Sequence, residues 1–290
     1  MSYALIFNGQ EKIKLNFLKK IFNKNKIIKK LFDETSEYIK YNIWKNIIDN
    51  NNDIFIIKNN IQPILLTISV AIFNIFIKYN PLPKLSAGNS LGEYSALVCS
   101  KSIKFSNAIK ILILRSKYMK ESVLKKKTFM ILIQGINIYI LKKICKYIKQ
   151  KKIYISISNF NTNKQFVITG YKKNIKKIIK YLKKINYKFI YKLPILTSSH
   201  CLLMKKSSKK FYFALKKIKI KKPIFPIINN INVKYEFSSE KIKKSLKKQL
   251  YKPVRWKEIL DYIKSKKIKN LFKIGYKKKI KKKKIKNLLH

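Results

Sequence analysis

Gly88-Asn89-Ser90-Leu91-Gly92 is the stretch that decides the fold, and it stands between an apolar run at 84–87 and a helical pattern that continues to about residue 100. The chain has only six glycines, and two of them flank Ser90. Such glycines allow the sharp strand-to-helix turn that exposes a nucleophile at the top of a parallel sheet. The helix start behind the serine supplies N–H groups and positive potential for an oxyanion. The alternative is an ordinary turn with a capping serine.

Strands and helices alternate on both sides of this turn. Short apolar runs predict strands at 3–7, 84–87, 225–228 and 269–274, with helical periodicity between them. This alternation predicts an α/β domain with a mostly parallel sheet.

The middle of the chain has a different order. It reads strand, helix, strand, strand, helix, strand, at 129–134, 137–149, 153–158, 165–169, 172–185 and 188–193. The βαββαβ order is typical of ferredoxin-like folds. We therefore predict that residues 127–195 form an inserted ferredoxin-like subdomain and that 1–126 and 196–290 form the α/β domain. Residues 276–288 are almost entirely Lys and Ile, and we predict a frayed terminal helix there.

The charge balance is extreme, because 69 basic residues face 12 acidic ones and give a net charge of +57. A nucleic-acid-binding protein would carry such charge to attract phosphate. Codon bias in an AT-rich genome would also produce it, since Lys, Ile and Asn have AT-rich codons. Only Arg115 and Arg255 are arginines, whereas nucleic-acid proteins use arginine freely for bidentate contacts. Composition therefore favours genome bias and predicts no nucleic-acid partner.

Cys99, Cys145 and Cys201 are an odd number of cysteines at unrelated spacings, which fits neither a disulfide framework nor a metal site. We expect a reducing cytoplasm. The N-terminal residues lack the features of a signal peptide. The longest apolar run, 64–77, is short for a membrane span and predicts a buried helix. With two histidines and no clustered acids, no metal is expected.

A nucleophilic serine needs a base, and His200 is the candidate imidazole because His290 is the terminal residue of a charged tail. No acidic residue lies near His200 in the sequence, so a backbone carbonyl could orient the ring and leave a Ser–His dyad. The alternative is a histidine without a catalytic role.

Arg115 is a compositional outlier in a predicted helix of a lysine-rich chain. Its planar guanidinium suits bidentate binding of a carboxylate, which lysine cannot provide. The alternatives are chance retention and a structural ion pair with Glu93 or Glu121.

Together these segments resemble the malonyl-CoA:acyl carrier protein transacylase family. The nucleophile segment Ala87 to Val98 carries the most specific likeness, and further segments follow in the family's order over residues 3 to about 275. They are Gln62–Thr67, Arg115–Met119, Asn159–Asn161, Gln165–Gly170, Pro194–Met204, Asn229–Val233 and Gln249–Trp256. These segments are poor in lysine, so composition does not explain the match.

The resemblance implies a hydrolase-like α/β domain with an inserted ferredoxin-like subdomain, and ping-pong transfer of malonyl from malonyl-CoA to the phosphopantetheine thiol of acyl carrier protein, in bacterial-type fatty acid synthesis. It implies Ser90 as nucleophile, His200 as base and no cofactor. Arg115 would bind the malonyl carboxylate, and the backbone of Gln249 would orient His200. The oxyanion would bind the N–H groups of Gln10 and Leu91. Further substrate-binding positions would be Asn89, Met119, Asn159 and Asn161. A monomer is implied by family precedent.

The chain departs from the family pattern near the nucleophile. Asn89 stands where the family has histidine, and the family's N-terminal motif survives only as Gly9-Gln10. An eroded transacylase that still binds acyl carrier protein is therefore an alternative. A serine esterase is a further one, although an esterase needs no carboxylate-binding arginine.

Overall fold

The strand Tyr3–Phe7 (β1) lies at the centre of a five-stranded sheet in the computed structural model of the chain. The structure describes residues 2–9, 26–48, 54–124, 127–150, 154–183, 187, 189–193, 197–268, 270–274 and 283–284. Gln10 and the predicted subdomain exit at Pro194 lie outside these residues.

Most of the elements after β1 are helices, and they come singly or in runs between the strands. The elements up to residue 121 are Lys26–Ile39 (α1), Ile43–Ile48 (α2), Ile54–Phe76 (α3), Leu85–Gly88 (β2), Leu91–Cys99 (α4) and Phe105–Glu121 (α5). The middle of the chain contains Thr128–Gln134 (β3), Ile138–Gln150 (α6), Ile155–Thr162 (β4), Gln165–Tyr171 (β5), Lys172–Leu182 (α7) and Phe189–Lys192 (β6). The last part contains a 3-10 turn at Leu202–Met204, then Lys205–Lys216 (α8), Ile227–Ile228 (β7), Ser239–Gln249 (α9), Trp256–Ser265 (α10), Asn270–Ile274 (β8) and Lys283–Lys284 (β9).

The first sheet has the strand order β7-β2-β1-β8-β9. Its first four strands are mutually parallel, and only β9 pairs antiparallel, with β8. Side chains of β1 alternate between two hydrophobic clusters, with Leu5 and Phe7 in one and Ala4 and Ile6 in the other. A parallel sheet that is buried on both faces produces such continuous apolar strands.

The second sheet is antiparallel and has the order β4-β5-β3-β6. With α6 and α7 it shows the predicted βαββαβ arrangement, and a separate hydrophobic cluster fills the space beneath these helices. The predicted fold class is thus confirmed. The boundaries at 127 and 195 stay a prediction.

Two local features differ from the sequence-based expectation. The buried helix predicted over the apolar run 64–77 begins earlier, at Ile54, but Asn60 has non-helical angles (φ −109°, ψ 16°). Pro63 therefore lies in the first turn after a kink, where its missing N–H costs no hydrogen bond. Lys283 and Lys284, expected in a terminal helix, instead pair with β8, whose free edge offers unpaired backbone groups.

The antiparallel sheet contacts the segment between α9 and α10. Asn159 on β4 forms a parallel bridge with Val254, and Phe160 N donates to Val254 O at 3.0 Å. This contact fixes the position of β4 against the segment that follows Gln249. No helix among the described residues is both long and apolar enough to cross a membrane.

Candidate active site

Ser90 occupies the turn between β2 and α4 with φ 52° and ψ −105°. Non-glycine residues rarely adopt such angles, and strain of this kind accumulates at functional sites. The backbone atoms of this turn are closely packed against neighbouring backbone. A Cβ on Gly88 would lie 1.9 Å from Gly92 C, and one on Gly92 would lie 2.3 Å from Phe7 O. The two glycines therefore let the backbones of β1, β2 and α4 meet beneath the serine.

His200 lies within hydrogen-bond distance of the serine, with 2.7 Å between Ser90 Oγ and His200 Nε2. Its other nitrogen, Nδ1, lies 2.6 Å from the main-chain oxygen of Gln249. A carbonyl oxygen only accepts, so Nδ1 carries the proton and Nε2 of the neutral ring is free to accept from Ser90. Gln249 is the last residue of α9, where carbonyl groups have no partner within the helix.

Burial and the nearby Arg115 charge lower the pKa of His200 from 6.5 to about 3, against the raising effect of the Gln249 carbonyl. The imidazole is thus neutral at neutral pH. A neutral ring is the form that can remove a proton from the serine hydroxyl.

The side chain of Asn230 stabilises the backbone of this turn through two hydrogen bonds. Its Oδ1 accepts from Ser90 N at 2.7 Å, and its Nδ2 donates to Gly88 O at 2.6 Å. The amide thereby satisfies backbone groups that the strained turn removes from regular secondary structure.

Arg115 is buried on α5 and points into the same site. It donates from Nη1 to Gln62 Oε1 at 2.7 Å, and from Nη2 to Gln249 Oε1 at 3.3 Å and Ser90 Oγ at 3.4 Å. Its Nε has no hydrogen-bond partner among the described residues. In the described part of the chain no carboxylate lies within ion-pair distance, and Glu121 pairs with Lys210. The alternative interpretation of Arg115, an ion pair with Glu93 or Glu121, is therefore not what the described residues show.

Glu93, on the buried side of α4, is a carboxylate that the sequence did not mark as functional. Its Oε2 accepts from Gln249 Nε2 at 2.7 Å and from Asn230 N at 3.2 Å. Burial raises the pKa of Glu93 from 4.5 to about 7, although these two hydrogen bonds and Arg115 lower it. The sequence feature that could have identified Glu93 is an acidic residue, rare in this chain, within a mostly apolar predicted helix.

A cavity of about 350 Å³ opens above the serine. Eight of the ten predicted site residues line it: Asn89, Ser90, Leu91, Arg115, Met119, Asn159, Asn161 and His200. Gln249 lies behind the cavity, bonded to His200 and Arg115, and Gln10 is outside the described residues. Gln62 also lines the cavity. The sequence feature that could have identified it is a polar residue just before Pro63, next to an apolar run.

The described residues contain no group of three or more His, Cys, Asp or Glu side chains that could hold a metal ion. The arrangement instead provides a serine, a neutral imidazole and a buried guanidinium within one cavity. These are groups for acyl transfer from a substrate that carries an anion.

Comparison with known proteins agrees with this chemistry. The family model described as the acyl transferase domain matches residues 28–272. The malonyl CoA-acyl carrier protein transacylase of Buchnera aphidicola subsp. Schizaphis graminum is 42% identical over 279 residues, covering 94% of this chain and 88% of that protein. This chain belongs to the malonyl-CoA–acyl carrier protein transacylase family.

Other transacylases of the family extend the likeness. The Escherichia coli K12 protein is 31% identical over 94% of this chain and 88% of its own length. The solved transacylase of Coxiella burnetii superposes with a TM-score of 0.90 at 31% identity, covering 96% of this chain and 88% of that one. A malonyl transacylase solved in complex with a type II PKS acyl carrier protein superposes at 0.91 and 33% identity, covering 100% and 92%. The transacylase fold thus extends over both sheets.

Proposed function

We propose that this chain transfers a malonyl group from malonyl-CoA to the phosphopantetheine thiol of acyl carrier protein, through a malonyl ester on Ser90. One observation carries the proposal: the hydrogen-bonded chain from Ser90 through His200 to the Gln249 carbonyl meets, at one cavity, a buried arginine with no carboxylate at ion-pair distance in the described part of the chain. The family relationship supports the same reaction.

In the first half-reaction His200 Nε2 accepts the proton of Ser90 as Oγ attacks the thioester carbonyl. The C=O electron pair moves to oxygen, and the resulting oxyanion would be bound by backbone N–H groups. Leu91 N is suited to this role because it is the first residue of α4, where N–H groups have no partner within the helix. The second N–H, expected from Gln10, stays a prediction. Collapse of the intermediate breaks the C–S bond, and His200 returns the proton to the leaving CoA thiolate.

Arg115 would bind the free carboxylate of the malonyl group. Burying a charged guanidinium is costly unless an anion compensates it, and a malonyl group carries a free carboxylate whereas an acetyl group has none. Gln62 accepts from Nη1, whereas Nη2 lies 3.4 Å from Ser90 Oγ, so Nη2 is the end of the guanidinium that faces the reacting acyl group. Met119, Asn159 and Asn161 would complete the acyl and pantetheine contacts from the cavity wall.

In the second half-reaction the thiol of acyl carrier protein gives its proton to His200 and attacks the ester carbonyl. The C–O bond breaks, Ser90 Oγ regains the proton from His200, and the malonyl thioester leaves. No cofactor is needed, because a thioester is already activated. We place the reaction in the cytoplasm, in line with three buried free cysteines. A monomer is the form we expect.

The first test is the intact-protein mass after mixing with malonyl-CoA, for the wild type and Ser90→Ala, each followed by acyl carrier protein. We expect a malonyl adduct on the wild type alone, removed by the carrier. An adduct on Ser90→Ala would place the nucleophile elsewhere, and no adduct on folded wild-type protein would contradict the proposal.

The same experiment separates the eroded alternative. Asn89 and the altered loop that contains Gly9-Gln10 are the sequence features that favour it. A stable malonyl adduct that acyl carrier protein cannot remove would identify an enzyme that keeps only the first half-reaction.

A further inference from the structure

Gln249 joins the groups of the site through both its backbone and its side chain. Its main-chain oxygen accepts from His200, and its side-chain oxygen accepts from Arg115. Its amide nitrogen donates to Ser90 O at 3.1 Å and to Glu93 Oε2 at 2.7 Å. A displacement of this one residue would therefore change the orientation of the base.

Glu93 is what holds the Gln249 amide in this orientation. An amide has a donor end and an acceptor end, and rotation by half a turn would exchange them. The carboxylate accepts only from the NH₂ end, while Arg115 donates only to the oxygen end. The same Glu93 oxygen also accepts from the backbone of Asn230, the residue that supports the serine turn.

We infer that Glu93 is a positioning residue: its carboxylate fixes the side chain of Gln249, and thereby the carbonyl that orients His200 toward Ser90. It lies beneath the turn, is almost fully buried and does not line the cavity above Ser90, so it does not act on substrate directly. The inference rests on the proposed acyl transfer for its kinetic consequences, but the hydrogen-bond geometry can be tested without turnover.

The kinetic test compares Glu93→Ala and Glu93→Gln by the rate of acyl-adduct formation. Glutamine keeps an oxygen that can accept from Gln249 and Asn230, whereas alanine has none. We expect Glu93→Ala to lower the acylation rate about tenfold or more, with both malonyl-CoA and acetyl-CoA affected and little change in KM, because the base serves both substrates. Glu93→Gln should restore most of the rate.

Two controls separate positioning from general effects on the protein. Glu121→Gln makes the same charge change on a carboxylate that pairs with Lys210 at the surface, and it should leave the rate unchanged. Ile109→Val removes a methylene from the core of α5 and lowers stability without touching the network. Rates are compared per folded molecule. A Glu93→Ala rate equal to wild type, or a Glu93→Gln rate as low as that of alanine, would overturn the inference.

The spectroscopic test needs no activity. The chain has two histidines, so ¹⁵N-histidine labelling reports His200 against the single signal set of His290. We expect a neutral ring protonated at Nδ1 in the wild type and in Glu93→Gln, and a mixture of tautomers in Glu93→Ala. An unchanged tautomer in Glu93→Ala would overturn the inference even if the wild type transferred no malonyl group, whereas failure of the proposed reaction alone would leave this signature in place.

Discussion

At the scale of single residues, the site depends on a buried guanidinium, in a chain whose other basic residues are almost all lysine. Arg115 lies over the Tyr94 ring at 5.5 Å and donates to two glutamine side chains. Both are neutral acceptors, and among the described residues no carboxylate lies within ion-pair distance of the guanidinium. A substrate carboxylate that enters the cavity would complete the pairing, and this gives Arg115 a direct role in choosing the acyl group.

We therefore predict that Arg115→Ala loses malonyl selectivity. Losing one partner of a buried charge pair costs about 2–5 kcal/mol, and malonyl loading should fall by the corresponding factor while some acetyl loading remains. Competition between malonyl-CoA and acetyl-CoA, followed by intact mass, measures the ratio. Arg255→Ala is the matched control, because that arginine pairs with Glu258 near the surface. Equal loss of both loadings would contradict the carboxylate-binding role.

Glu93 should make stability depend on pH. Its folded-state pKa of about 7 exceeds its ordinary value of 4.5. The folded state thus binds the proton more tightly, and the stabilisation is present below about pH 4.5 and is lost as the pH rises through 7. We predict that the unfolding free energy of the wild type, relative to Glu93→Gln, falls by a few kcal/mol between these values.

Urea unfolding of both proteins from about pH 5 to about pH 8 checks this prediction. His200 is common to both and cancels in the difference. Its own effect has the opposite sign, since its lowered pKa removes stability as the pH falls from 6.5 toward 3. A wild-type minus variant difference that stays constant with pH would contradict a titrating Glu93.

Residue types and spacing predicted Ser90, His200 and Arg115, but not the amides and the acid that hold them. Gln62, Glu93 and Asn230 act through hydrogen bonds between residues that are 53 to 156 positions apart in the chain. Hydrogen-bond partners this far apart form no local sequence motif. A single polar residue in the sequence does not show which distant residue it will contact in the folded chain.

At the scale of elements, the nucleophile turn depends on close packing of three backbones. Gly88 ends β2 and Gly92 opens the first turn of α4, and each would place a Cβ within 2.3 Å of another residue's backbone atom. Backbone atoms cannot move aside as a flexible side chain can. The glycines are therefore needed for the packing of α4 against the sheet as well as for the angles of Ser90.

We predict that Gly88→Ala destabilises the protein by several kcal/mol and abolishes acylation, because α4 must move away from β2. Ser95→Ala on the same helix is the matched control. Ser95 is buried and its hydroxyl has no partner among the described residues, so its removal should change stability by less than about 1 kcal/mol. Thermal unfolding measures both, and a Gly88→Ala protein as stable as the control would refute the close-packing account.

Element order was predictable because apolar periodicity differs between buried strands and amphipathic helices. The two strands of the antiparallel pair β4 and β5 follow each other within the predicted subdomain and were placed to within a few residues. The pairing of β9 with β8 was not predictable, because a lysine-rich segment has no strand pattern of its own. The kink at Asn60 was not predicted either, because apolar residues occur in the sequence on both sides of it.

At the scale of the whole molecule, positive side chains far outnumber negative ones. The net charge is +57, and the described residues form four ion pairs, each with at least one partner substantially exposed. Exposed pairs of this kind contribute little, whereas like charges over the surface repel in the compact state. The folded chain must therefore offset a repulsion that a charge-balanced chain of the same fold would not carry.

We predict that added salt stabilises this protein, with a melting temperature that rises by several degrees between 0.1 M and 1 M NaCl. The reason is screening, since the Debye length shortens from about 10 Å to about 3 Å over this range and weakens repulsion between surface lysines. Scanning calorimetry in NaCl and in KCl measures the shift, which should follow ionic strength and not the identity of the cation. A melting temperature that stays constant or falls with added salt would show that repulsion between surface lysines does not destabilise the folded protein.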